Sequence, residues 1–182
     1  MGRKARPSIA TIILIERLES DILLEKPSKR GGDALRIQKV EKDSGLREDL
    51  LHFVENFSWL EVKEHMTHMI RNWNFEDWET PFVAITDGKI VGMATLMKTD
   101  YYPLPEIFPW VSSVFVTEEY RGQRISGKLI DFANEYARAL GFRKTYIPSE
   151  HIGLYEKYGY SYVKDIVNYG GGTDRLYVKE LD

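Results

Sequence analysis

The stretch that decides the fold runs from Val114 to Val163: VFVTEEYRGQRISGKLIDFANEYARALGFRKTYIPSEHIGLYEKYGYSYV. It opens on the end of an apolar strand, Trp110 to Val116, whose alternation predicts Trp110, Ser112, Val114 and Val116 on one face and Val111, Ser113 and Phe115 on the other. A polar turn, Thr117 to Gly127, leads into a helix whose apolar face is Leu129, Ile130, Phe132, Ala133, Tyr136, Ala137 and Leu140, stopped by Gly141 at C′. Lys144 to Ile147 reads as a strand, Ser149 to Lys157 as a short helix ended by Gly159, and Tyr160 to Val167 as a further strand. A strand that feeds a glycine-containing turn and a helix can hold a phosphate. The first N–H groups of the helix lack intrahelical partners, and the macrodipole adds partial positive charge there. Arg121, Arg124 and Lys128 add formal charge at the same place. Gly122 and Gly127 also fit a tight turn and a close helix–strand contact, so the turn alone leaves both readings open.

Outward from this stretch, Asp87-Gly88 between Phe82–Ile85 and Lys89–Leu96 gives a strong hairpin signal. Upstream, two helical stripes appear: Leu46, Leu50, Phe53, Val54 and Phe57, then Val62, Met66, Met69, Ile70 and Trp73, with Ser44 and Ser58 as expected caps. Leu35 to Val40 reads as a strand, and Arg175 to Leu181 closes the chain as another after Gly170-Gly171-Gly172. The order β, α, α, hairpin, β, α, β, α, β, β predicts a mixed α/β fold whose strand–helix–strand crossover requires parallel neighbours.

Composition narrows the function. The chain has 182 residues, 43% hydrophobic and 29% charged, which suits one folded domain with an extension. The absence of cysteine excludes disulfides, a cysteine nucleophile and thiolate-bound metal. His52, His65 and His68 read as helix-surface histidines, and no metal site is expected. Residues 1–40 carry 9 basic and 5 acidic side chains, and residues 41–182 carry 16 and 23. A mildly acidic body gives no reason to expect nucleic acid and tolerates a cationic, amine-bearing partner. No apolar run approaches the roughly 18 residues of a membrane span. Residues 1–34 form an apolar and basic extension before a domain at 35–182. Its apolar arm, Ile9 to Leu24, runs into charge too soon for a secretory signal. The arm is expected to cover a sheet edge or a partner subunit, which makes a homodimer through it possible. These features lead to the expectation of a cytoplasmic protein.

The turn Tyr120-Arg121-Gly122, the following glycine-spaced helix start and Leu154-Tyr155-Glu156-Lys157-Tyr158-Gly159-Tyr160 together resemble the acetyl-coenzyme A-binding heart of the GNAT N-acetyltransferase superfamily. The tight resemblance covers about 50 residues, and a looser one extends over roughly residues 35–182. It implies a mostly antiparallel mixed sheet with a central splayed parallel strand pair, flanked by helices on both faces. It implies an acetyl-CoA-dependent N-acetyltransferase acting by direct transfer on a primary amine of a small molecule or peptide. A catalytically weak acyl-CoA-binding or sensor module is the alternative. The resemblance places Val114, Phe115 and Val116 beside the pantetheine arm. It puts the backbone of Gly122, Gln123, Arg124, Ile125, Ser126 and Gly127 around the pyrophosphate, with Arg121 and Lys128 beside it as further cofactor-binding residues, and Tyr155 near the thioester sulfur. A phenol of pKa about 10 is suited to donate a proton to a thiolate whose conjugate acid lies near 8–9.

Two of the family's glycine positions fall at Arg124 and Ser126, and Pro148 stands where many members carry asparagine. If position 124 requires φ > 0, arginine there costs about 1 kcal/mol or more; if it does not, the side chain is free to reach phosphate. For the general base, Glu150, His151 and a water relay remain open. His151 is expected to share a helical face with Tyr155, four residues on. Asp100, Glu79 and Glu106 are loop carboxylates available to an amine.

Overall fold

A computed structural model describes residues 34–182. The extension read at 1–34, and with it the expected dimer contact, lies outside the described residues apart from Ala34. The chain runs β1 (Arg36–Lys39), α1 (Leu46–Glu55), α2 (Leu60–Asn72), β2 (Thr80–Thr86), β3 (Lys89–Met97), β4 (Trp110–Val116), α3 (Ile125–Ala139), β5 (Lys144–Ser149), β6 (Ser161–Val167) and β7 (Thr173–Glu180). Short 3-10 turns occupy Glu118–Tyr120 and Tyr155–Tyr158. The seven strands make one sheet in the order β1-β2-β3-β4-β5-β7-β6. Every neighbouring pair is antiparallel except β4 and β5.

Helices cover both faces. α3 packs on one, where Phe132 and Tyr136 meet Phe82 edge-on at 5.3 Å each and Leu129, Ile130 and Ala133 are buried with Ala84, Ala94 and Ile147. α1 and α2 cover the other, where Leu50, Val54, Phe57, Met66 and Ile70 enclose Val83, Met93 and Phe115. β2 and β3, buried on both sides, are accordingly near-continuous apolar runs.

Local signals explain most boundaries. Asp87 and Gly88 both adopt positive φ, 51° and 70°, as a two-residue hairpin turn requires. Gly141 (φ 91°) ends α3 with its N–H on the Arg138 carbonyl and the Phe142 N–H on that of Ala137, a double-bonded left-handed cap. The expected serine caps are corrected. Ser44 donates its hydroxyl backward to the Glu41 carbonyl, and Ser58 donates to the Glu118 carboxylate at 2.7 Å, so neither caps a helix. The helix expected over Ser149–Lys157 is also absent. Ser149 is the last residue of β5, the Ser149 hydroxyl accepts the His151 N–H, and Gly153 takes φ 78°, so helical backbone begins only at the 3-10 turn of Tyr155.

β4 departs from simple alternation. Phe115 pairs with Met93 but Ser112 pairs with Thr95, so β4 carries an extra residue against β3. The bulge centres on Ser113, at φ 51°. It shifts the phase of the strand: Val111, Val114 and Val116 face α3, while the Ser113 hydroxyl donates toward the Met66 sulfur of α2. The two-faced pattern read from the sequence is therefore broken midway.

Gly92 on β3 sits under this region. A Cβ there would stand 2.9 Å from the Phe115 carbonyl oxygen and 3.2 Å from Leu129 Cδ1. Because the closest obstacle is backbone, Gly92→Ala is expected to cost about 1–3 kcal/mol. Urea unfolding checks this as a lowered midpoint with an unchanged slope.

Candidate active site

β4 and β5 touch at one bridge, Trp110↔Tyr146, with the Tyr146 N–H on the Pro109 carbonyl at 3.0 Å. Beyond it the strands part, and the bulge at Ser113 bends β4 away where the pairing stops. The Thr117 N–H donates to the Val91 carbonyl at 3.0 Å. Gly92↔Val116 is then a non-hydrogen-bonded pair, and the N–H and C=O of Val116 point away from β3, into the gap. The next pair, Met93↔Phe115, directs the Phe115 backbone to β3 instead. Of the three residues expected beside a pantetheine arm, Phe115 is the one whose backbone is committed to β3, whereas Val116 is turned from it and Val114, in the bulge, has no partner on it.

The turn after β4 is held at its start by Arg121. The Arg121 Nε donates to the Val116 carbonyl at 3.0 Å and its terminal nitrogen to Glu118 at 2.7 Å. The Ser58 hydroxyl, together with Arg121, holds the Glu118 carboxyl below its usual range. Arg121 thus braces the strand end. Gly122 adopts φ 79° and Arg124, the residue capping α3, φ 60°. Position 124 does require a left-handed backbone, so the strained alternative holds, with a cost of about 1 kcal/mol or more. The Arg124 side chain is exposed, as is that of Gln123. Among the described residues no side chain caps α3, so the first N–H groups of Ile125, Ser126 and Gly127 lack intrahelical acceptors, and Lys128 is the first to close a turn, on the Arg124 carbonyl. Ile125 anchors the turn in the core.

Gly127 has a different reason to be glycine. Its missing side chain seats the Tyr158 ring, since a Cβ there would stand 2.8 Å from Tyr158 Cε1. The Tyr158 hydroxyl shares a 3.0 Å hydrogen bond with Ser126. The turn before α3 and the segment carrying Tyr155 are thereby packed together. Tyr155 lies in the cluster that also holds Val116, Ile125 and Ile147, on the α3 face of the gap. Burial raises its pKa, with the Ser149 hydroxyl acting in the opposite sense, so the phenol stays protonated at neutral pH.

The other face of the gap bears polar groups the sequence did not rank. Among the three loop carboxylates, Asp100 reaches β4: it accepts from the Ser112 hydroxyl and, at 2.6 Å, from the Tyr101 N–H. Burial pushes its pKa up, partly offset by those hydrogen bonds and by His65 nearby. Tyr102 donates to Asp174 at 2.8 Å beside it. Glu79 instead accepts from the backbone of Glu76 and Lys98. His151 is not on a helix with Tyr155; it sits in an exposed bend with Nδ1 3.1 Å from the Ser149 oxygen. Among the described residues no group of three or more metal-binding side chains converges, and no helix is long and apolar enough to cross a membrane.

Comparison with known proteins agrees with this geometry. The profile of the acetyltransferase (GNAT) family matches residues 48–160, from α1 through the Tyr155 segment. The chain belongs to the GNAT acetyltransferase family. No curated protein sequence matches it. It is similar to the solved structure of an aminoglycoside 6'-N-acetyltransferase complexed with coenzyme A, with TM-score 0.62, 13% identity, and 80% of this chain and 97% of that one covered. It is also similar to an acetyltransferase from Streptococcus agalactiae, with TM-score 0.59, 20% identity and coverage of 81% and 98%. A spermidine N-acetyltransferase variant from Vibrio cholerae gives TM-score 0.57, 16% identity and coverage of 81% and 94%. At such identities the likeness speaks for the fold.

Asp100 offers a test of the site's electrostatics. A buried carboxyl with a raised folded pKa binds its proton more tightly folded than unfolded, so its contribution becomes less favourable as pH rises from the unfolded value, near 3.8, through the folded one. Asp100→Asn is expected to be more stable than wild type at pH 7, with the gap closing on acidification. Thermal melts between pH 4 and pH 7 check this.

Proposed function

We propose that the protein is an N-acetyltransferase that moves the acetyl group of acetyl-CoA to a primary amine of a small molecule or peptide by direct attack. The observation that carries this reading is the single-bridge β4–β5 splay opening beside a helix start that no side chain caps. An unpaired strand edge and unpaired amides need partners. A pantetheine amide arm supplies one at the Val116 N–H as a substitute strand, the Val116 carbonyl being already held by Arg121, and a diphosphate supplies them at Gly122 to Gly127. The residues present fit such a ligand: the turn has left-handed backbone at Gly122 and Arg124, as wrapping a phosphate requires, and Arg124 presents its charge outward.

In the transfer, the neutral amine nitrogen attacks the thioester carbonyl carbon and gives up a proton to water, the carbon–sulfur bond breaks, and the departing thiolate takes a proton. Tyr155, protonated at neutral pH, is the donor. The amine approaches from the α2 face, where Asp100, held on Ser112 beside the bulge, offers a carboxylate to a cationic acceptor. Holding both reactants at one gap supplies up to about 7–11 kcal/mol of barrier reduction in favourable cases. No covalent enzyme intermediate is needed.

The test is a thiol-release assay with acetyl-CoA and a panel containing a polyamine, an aminoglycoside and a peptide, alongside titration calorimetry of acetyl-CoA. Binding together with amine-dependent thiol release is expected. Binding without release from any amine makes the protein an acyl-CoA sensor, and no binding removes the cofactor reading altogether. Tyr155→Phe is expected to lower kcat about 10²–10⁴-fold while the acetyl-CoA dissociation constant stays close to wild type. An unchanged kcat excludes Tyr155 as the acid.

A further inference from the structure

The Arg121 side chain runs from the turn before α3 back to the opposite face of the sheet. Its guanidinium carbon lies 5.9 Å over the Phe115 ring. That ring packs on the α1 and α2 side, 4.2 Å from the ring of Phe57, whereas Ile125 at the start of α3 packs on the other side. From there the Arg121 Nε donates to the Val116 carbonyl at 3.0 Å, and a terminal nitrogen donates to the Glu118 carboxylate at 2.7 Å. The same carboxylate oxygen accepts the Ser58 hydroxyl at 2.7 Å. Ser58 belongs to the connection between α1 and α2, so one run of contacts joins that connection to the edge of the β4–β5 gap.

These contacts have a chemical consequence at the edge. The pairing against β3 turns both the N–H and the C=O of Val116 into the gap. A strand edge of that kind asks a ligand for an acceptor and a donor together. Arg121 meets the carbonyl's need from within the protein. The N–H keeps its own, so the group that fits opposite Val116 is a carbonyl oxygen, and an arm offering an N–H there sets two donors against each other.

We infer that Arg121 is a positioning residue that acts through Val116: with Glu118 and Ser58 it sets the polarity of the strand edge, so that a thioester donor is received by an amide carbonyl of its arm, and the guanidinium does not serve the diphosphate. This rests on reading the gap as the seat of the pantetheine arm. The arm and the diphosphate are then recognised separately, the first by the edge that Arg121 polarises and the second by the backbone of Gly122 to Gly127. The Arg121 and Glu118 side chains are 56% and 52% exposed. An exposed ion pair adds little to stability, so substitutions here change the edge without unfolding the protein.

The experiment titrates acetyl-CoA by calorimetry into the full chain and its variants, with thermal midpoints as the check on folding. Arg121→Ala is expected to weaken binding about 10-fold, the scale of one or two lost hydrogen bonds. S-acetyl-pantetheine, which has the arm and no phosphate, is expected to lose the same factor. A loss with acetyl-CoA that S-acetyl-pantetheine does not share makes Arg121 a phosphate ligand and overturns the inference. Glu118 decides the sign with acetyl-CoA alone. Glu118→Ala, which releases Arg121, is expected to bind about 3- to 10-fold more weakly. Ser58→Ala shifts in the same direction, and Glu118→Gln, which still accepts from Arg121, stays close to wild type. If Arg121 serves the diphosphate instead, removing its counter-charge tightens binding in both Glu118 variants. Tighter or unchanged binding in Glu118→Ala therefore overturns the inference, and wild-type affinity in Ser58→Ala removes the α1–α2 connection from it. A wild type that binds acetyl-CoA alongside such variants overturns the inference alone, whereas a wild type that binds no acetyl-CoA overturns the cofactor reading and the inference with it.

Discussion

The structure depends on one incomplete strand pairing. β4 and β5 must be parallel, because α3 connects them as a crossover, yet they hold a single bridge at Trp110↔Tyr146 before they diverge. Exposed strand edges inside a sheet are costly unless something pairs with them. Here the divergence is built in from both sides: the Ser113 bulge bends β4, and β5 is secured to β7 along its whole length, from Lys144↔Glu180 to Ser149↔Arg175. The opening is therefore a fixed feature of a sheet that is closely packed elsewhere.

The residues around that opening hold it in shape by trading local stability for position. Arg124 occupies left-handed backbone where glycine would be relaxed, at a cost of about 1 kcal/mol or more. Asp100 keeps a carboxyl in a buried setting that disfavours its charge. Against these, Arg121 ties the end of β4 to Glu118 and through it to Ser58 beyond α1. Gly127 lets Tyr158 pack against the first turn of α3. The strain sits on the turn and the loop, and the compensating contacts tie the turn to the end of β4 and the Tyr158 segment to the start of α3.

The two faces of the sheet divide the chemistry. On the α3 face lie the uncapped amides, Val116 and the tyrosine cluster around Tyr155. On the α2 face lie Asp100, Ser112, Tyr102 and Asp174, none of which belongs to the turn that carries the family resemblance. A ligand held by backbone on one side and an acceptor met by side chains on the other can meet through the gap. The backbone side depends on conformation more than on residue identity, whereas the side-chain face depends on which residues the loops supply.

The sequence by itself determined the layered α/β architecture, the hairpin at Asp87-Gly88, the glycine stop at Gly141 and the turn before α3, because each follows from periodicity or from a residue whose backbone preference is strong. It also marked Arg124 as the position where strain or reach had to be decided. The tertiary structure alone settled the left-handed backbone at Arg124 and the bulge at Ser113, since two consecutive serines carry no signal for an extra residue that only register against β3 creates. It alone brought Asp100 onto Ser112 and turned His151 back onto Ser149, where local spacing had suggested a helix. Contacts of this kind depend on where distant segments are carried by the fold, and sequence spacing holds no record of that.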